Sequence, residues 1–106
     1  MVNSLSRRPA DVPDLRRLPE VTLVSAPACH LCLDAELELV RRAAHGALTV
    51  QVVAADSPAG QTLVAAHRPP MFPLVLVDGV LLSAGRLSRG KLDKALARRA
   101  ARAVVC

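Results

Sequence analysis

The sequence predicts an α/β domain, a four-stranded mixed sheet flanked by about three helices. Strand-like and helix-like segments alternate from residue 21 to the end of the chain. The first two strand-like runs bracket a helix, which calls for a parallel crossover. Leu74-Val75-Leu76-Val77, Asp78-Gly79 and Val80-Leu81-Leu82 then read as an antiparallel hairpin, because both turn residues tolerate positive φ. A chain of 106 residues suits one such domain.

The opening run MVNSLSRRPADVPDLRRLPE holds three prolines and mixed charge, so residues 1–20 are predicted to be a flexible extension and 21–106 the domain. Val21 to Ser25 is a short apolar run stopped by Ala26-Pro27, as a buried strand would be. From His30 to Ala44, the residues Leu33, Leu37, Val40 and Ala44 recur at helical spacing and are expected to face the core, with Asp34, Glu38, Arg41 and His45 on another face. Gly46 follows where a left-handed cap is wanted, and Leu48 to Ala54 reads as the second strand. Asp56 or Ser57 before Pro58 suits the start of a shorter helix ending before Pro69-Pro70. Ser88 caps a last helix running to about Ala103, with Leu92, Leu96, Ala100 and Ala103 expected toward the sheet. Each amphipathic helix must bury its stripe on a sheet face, so this order of elements is a thioredoxin-like layout.

Composition narrows the function. Hydrophobic residues make up 52%, yet there is one Phe and no Tyr or Trp, so the core is aliphatic and stacking on nucleic-acid bases is excluded. No apolar run approaches the roughly 20 residues of a membrane span, and the first twenty residues lack the apolar centre of a signal peptide. A cytoplasmic monomer with neither membrane nor nucleic acid as partner is the expectation. Of the net charge of +5, the excess lies in the last helix, where Arg86, Arg89, Lys91, Lys94, Arg98, Arg99 and Arg102 face only Asp93. Such a row is either a solvated face or an attraction for an acidic partner or anionic ligand.

Three cysteines in a chain without an export signal argue against a structural disulfide framework and for redox chemistry or metal binding at any close pair. Cys29-His30-Leu31-Cys32 is that pair, set between a strand and the helix it feeds. Helix-terminal amides and the macrodipole stabilise a thiolate, and cysteines in such motifs have pKa values lowered to roughly 3.5 to 7.5. Cys29 is therefore the expected nucleophile. Cys32, nearly one turn later, is close enough to bond with it and is expected to be the deeper, resolving thiol. His30 and Leu31 would tune the pair. An imidazolium at His30 would stabilise the thiolate further, the competing reading being a solvated bystander.

The run Leu23-Val24-Ser25-Ala26-Pro27-Ala28-Cys29-His30-Leu31-Cys32 resembles the active-site segment of bacterial glutaredoxin-like proteins of the Cys-His-Leu-Cys type, and Met71 to Gly79 is similar to the segment where that superfamily carries a cis-proline ahead of its third strand. The resemblance covers roughly Val21 to Ala103. It implies a thiol–disulfide oxidoreductase that reduces protein or low-molecular-weight disulfides, with Pro73 the cis-proline and Phe72, Pro73, His30 and Leu31 contacting substrate. It implies no tightly bound cofactor, and a reductase or a small thiol such as glutathione or mycothiol as reductant. The sequence departs from glutathione-binding glutaredoxins at three places. The basic residue before the first cysteine, the Thr-Val pair before the cis-proline and the Gly-Gly turn leading to an acid are here Ser25-Ala26, Met71-Phe72 and Ala84-Gly85-Arg86-Leu87. Arg68 and Arg86 are the cations left for a carboxylate of such a thiol.

Two other readings compete. A zinc or iron–sulfur site needs two further ligands, for which His45, His67 and Cys106 are the only other soft candidates and none is paired at ligand spacing. A cluster shared between two subunits, using Cys29 of each with external thiols, is what the resemblance leaves open. Alternatively the fold is a redox-inactive binding module presenting the Pro73 groove or the basic helix.

Overall fold

A computed structural model describes residues 17–105. The elements run β1 (Glu20–Ser25), α1 (His30–Ala44), β2 (Thr49–Ala54), α2 (Pro58–His67), β3 (Leu74–Val77), β4 (Val80–Ala84) and α3 (Arg89–Val105). The sheet order is β2-β1-β3-β4, with β1 parallel to β2, and β3 antiparallel to both β1 and β4. This is the thioredoxin-like fold in its four-stranded, glutaredoxin-like form, as the order of segments predicts. The predicted extension falls outside the described residues except for its last four, of which Glu20 already opens β1. Cys106 lies outside them as well.

Alternation of side chains along the central strands divides the core. Val21, Leu23 and Val75 face one way and pack with Ala35 and Leu39 of α1, Leu48, and Leu87 and Leu92 before and within α3. Val24, Leu74 and Leu76 face the other way, under Leu63, Val64 and Phe72. The second layer owes its closeness to Gly60 of α2: a Cβ there would overlap the Ala54 carbonyl at the end of β2. Ser57 caps α2 by accepting the Gly60 amide at 3.0 Å, and its hydroxyl donates to the Ala54 carbonyl at 2.7 Å.

Two helix faces differ from expectation. In α1 the buried positions are Cys32, Ala35, Glu38 and Leu39, while Leu33, Leu37 and Val40 are exposed. The helix carries a second stripe, Cys32, Ala35, Leu39 and Ala43, turned roughly a third of a revolution from the first at about 100° per residue. Periodicity alone does not choose between them. The choice falls to the second because small Ala35 lets the helix approach the sheet and because Glu38, drawn in with that stripe, finds cations. Arg42 donates to it at 2.7 Å, Arg41 at 2.9 Å, and Arg89 at the start of α3 lies 3.3 Å away. In α3, Leu92 is buried and Leu96 half-buried, but Ala100 is exposed and Arg99 is the buried neighbour. Arg99 goes inward because Asp78 of the β3–β4 turn receives its Nε at 2.6 Å. The side chain of Ala103 lies outside what is described.

Candidate redox site

The site lies where β1 ends. Ala28, the residue before the first cysteine, has φ of +52°, a left-handed conformation costing an L-residue roughly 1–2 kcal/mol and typical of segments whose geometry the surroundings impose. Cys29 then adopts an extended backbone as the N-cap of α1, and its carbonyl accepts the Leu33 amide at 3.1 Å. The Cys29 sulfur itself receives the Cys32 amide at 3.1 Å. One of the helix's orphan donors is thus directed at this sulfur, at the position where a helix N-terminus would stabilise an anion. No acidic residue lies in the first turn to oppose it.

Cys29 and Cys32 are joined by a disulfide, with their Cα atoms 5.2 Å apart. Their exposures differ: Cys29 is half-buried and Cys32 only 2% exposed. His30 is exposed and Leu31 half-buried on the same first turn. From the opposite side comes the start of β3. The Phe72–Pro73 peptide bond is cis, Pro73 is buried, and the Phe72 carbonyl oxygen is 3.9 Å from the Cys29 sulfur. The sheet enforces this meeting, since Val24 near the end of β1 pairs with Leu74 at the start of β3. The Pro73 carbonyl in turn accepts the Gly85 amide at 2.9 Å, and Gly85 has φ of +106° against Met71.

The remaining sequence candidates lie elsewhere. His45 is the C-cap of α1, with Nδ1 2.8 Å from the Arg41 carbonyl, and His67 ends α2. Among the described residues no group of three or more His, Cys, Asp or Glu side chains is gathered for a metal ion. Sequence reasoning missed the strained Ala28, the Gly85 support of Pro73, and a shallow groove of about 410 Å3 beside the cysteine loop, lined by Ser25, Ala26, Pro27, Val52, Ala54 and Asp56. A glycine directly after a strand is the one signal that could have flagged Gly85. Nothing local marks Ala28.

No family model matches the sequence, and no curated protein matches it. Among solved structures it is similar to the crystal structure of glutaredoxin 1 from Francisella tularensis complexed with cacodylate, at 14% identity and a TM-score of 0.46, over 79% of this chain and 98% of that one. The strand order and helix placement described above are those of the thioredoxin fold, with a disulfide-bonded cysteine pair where β1 hands over to α1. A disulfide across a C-x-x-C at a helix N-terminus fits thiol–disulfide exchange. No helix among the described residues is long and apolar enough to cross a membrane.

Proposed function

We propose that the protein is a cytoplasmic thiol–disulfide oxidoreductase in which Cys29 is the nucleophile and Cys32 the resolving thiol. The observation that carries this is the unequal setting of two bonded sulfurs: Cys29 is the accessible one and receives a helix-terminal amide, whereas Cys32 is enclosed. In the reduced protein the Cys29 thiolate attacks one sulfur of a substrate disulfide, and the other leaves with the electron pair and takes up a proton. The mixed disulfide is then cut by Cys32, whose sulfur bonds to Cys29 and releases the second substrate thiol. Two electrons pass to the substrate, and the Cys29–Cys32 disulfide is the product on the protein. A reductase or a low-molecular-weight thiol such as glutathione or mycothiol returns the pair to its dithiol form.

In this reading the Phe72 carbonyl and the edge of Pro73 align the substrate chain beside Cys29, while His30 and Leu31 form the rim it crosses. The substrate is a protein or small-molecule disulfide, and the enzyme works as a monomer. Single substitutions test the roles. Cys29→Ser is expected to abolish reduction of a disulfide substrate, and Cys32→Ser to accumulate a mixed disulfide detectable by mass spectrometry of the intact protein. Equal turnover by both variants and the wild type would remove the proposal. The reduction potential of the pair is expected between roughly −270 and −180 mV, the span from thioredoxin to disulfide isomerase. Absence of any reversible two-electron couple would favour a binding module.

A further inference from the structure

At the end of the sheet away from the cysteines, a groove of about 400 Å3 separates β4 from α3. The placement follows from register: Val24 pairs with Leu74 at the cysteine end, Val21 with Val77 at the other. The floor is apolar, with Val77, Val80, Leu82 and Ala95, and Val80 is 69% exposed. The rim is cationic. Lys91, Lys94, Arg98 and Arg102 line it, and among the described residues none of the four has a carboxylate within ion-pair distance. Neighbouring cations of the same helix are matched, Arg89 with Asp34 and Glu38, and Arg99 with Asp78. The cations of α3 without an ion pair therefore all line the groove.

The second feature is the strand itself. β4 is an edge strand with β3 as its sole neighbour in the sheet, so its outward amides and carbonyls have no ladder partner. Its five residues span about 14 Å, in four steps of roughly 3.4 Å. The cations recur every three or four residues from Lys91 to Arg102, a row of about 16.5 Å at 1.5 Å per residue with steps of about 4.5 to 6 Å. Alternate side chains of an added strand point to one side about 6.8 Å apart. The row exceeds the edge by less than one strand residue, about 3.4 Å, and the long, rotatable Lys and Arg side chains absorb this and the difference in step.

We propose that this groove docks an acidic, extended peptide segment of a partner protein, which pairs with the free edge of β4 and sets alternate carboxylates on Lys91, Lys94, Arg98 and Arg102. Main-chain hydrogen bonds supply affinity in such strand addition, and the side-chain row supplies selectivity. Nucleic acid is disfavoured because no aromatic side chain lines the groove for stacking. A lipid surface is disfavoured because the cations rim a concavity. The inference does not depend on the redox proposal, since the groove contains neither cysteine nor Pro73.

The test uses the full chain and a fluorescein-labelled decapeptide alternating Glu and Val. Saturable binding by fluorescence anisotropy is expected, with slowed amide exchange at β4. It should weaken at least about tenfold in the combined variant Lys91→Gln, Lys94→Gln, Arg98→Gln, and more in the corresponding Glu variant, because reversal adds repulsion to lost attraction. Both variants are first checked for an unchanged circular dichroism spectrum, and the milder Gln set stands alone if the Glu set does not fold. Absence of saturable binding at low salt overturns the proposal, as does equal binding by the Gln variant. It also fails if a Glu-Gly decapeptide of the same charge binds equally well without protecting β4, or if anionic vesicles or a single-stranded oligonucleotide bind more tightly than the Glu-Val peptide.

Discussion

The two ends of the sheet are built from different materials. At the cysteine end the contacts are mostly backbone: the Cys32 amide on the Cys29 sulfur, the Phe72 carbonyl opposite, the Gly85 amide under Pro73, and Gly60 against the Ala54 carbonyl. At the turn end, and in the layer between α1 and α3, the contacts are charged side chains. Asp78 accepts Arg99 and the Glu20 amide, while Glu38 gathers three arginines. Backbone groups hold their dipoles at every pH and have little freedom to relax. Charged side chains titrate and move. The cysteine end is thus expected to fail through steric change, and the other through loss of charge.

The largest effect is expected from Gly60→Ala. The added methyl meets main chain rather than a flexible side chain, so α2 must lift from β2, at a cost of about 3 kcal/mol. A urea midpoint lowered by the equivalent of less than about 1 kcal/mol would mean that the layer slides freely and the backbone-built end is not rigid.

Asp78→Ala should come next, at about 2–3 kcal/mol, because it takes the Asp78 carboxylate from Arg99, itself only 7% exposed, and leaves the Glu20 amide without that acceptor. Thermal unfolding measures it. A loss as small as that of an exposed ion pair would dissolve the contrast between the two ends.

Glu38→Gln is expected to cost about 1–2 kcal/mol at neutral pH, since Arg41 is largely exposed and its share is screened by water. Its pH dependence separates charge from packing. Hydrogen bonds from Arg41 and then Arg42 hold the Glu38 carboxyl down from 4.5 to about 2. Burial opposes charge on Arg42, and its bonds to Asp93 and Glu38 more than offset this and raise its pKa above the ordinary value. A carboxyl whose folded pKa is depressed contributes stability that is fully present above its unfolded pKa and lost as pH falls through the folded one. The wild-type advantage over Glu38→Gln should therefore hold down to about pH 4.5 and shrink toward pH 2. A constant gap across that window would show that shape, not charge, decides the site.

The smallest effect is Leu37→Ser. Leu37 is 62% exposed, and the change should stay within about 0.5 kcal/mol. A loss of several kcal/mol would mean that α1 presents its other stripe to the sheet.

Much of the architecture is legible in the chain because it rests on short-range rules. Asp78-Gly79 forms the expected tight turn, with φ of +51° and +83°, Pro58 starts a helix behind a Ser57 cap, and Gly46 ends another with φ of +79°. Strand boundaries at Glu20 and Thr49 differ from the expected ones by a single residue, where fraying makes the limit soft. The cysteine motif is equally local, since a strand feeding a helix through Cys29-His30-Leu31-Cys32 already puts the first sulfur at the helix N-terminus.

Helix rotation and long-range pairing are another matter. A helix with two apolar stripes has two acceptable faces until another element arrives, and the inward carboxylate of Glu38, already paired by Arg41 and Arg42 of its own helix, gains a third cation from Arg89, fifty-one residues beyond. The same holds for Arg99, which reads as one cation in a surface row until the β3–β4 turn brings Asp78 to it. Periodicity records how apolar a face is, whereas burial depends on whether the polar groups carried along find partners. Local turns, caps and strand runs are therefore written in neighbouring residues, while the facing of α1 and α3, the approach of Phe72 to Cys29 and the gathering of the unpaired α3 cations along one groove arise only when distant segments meet.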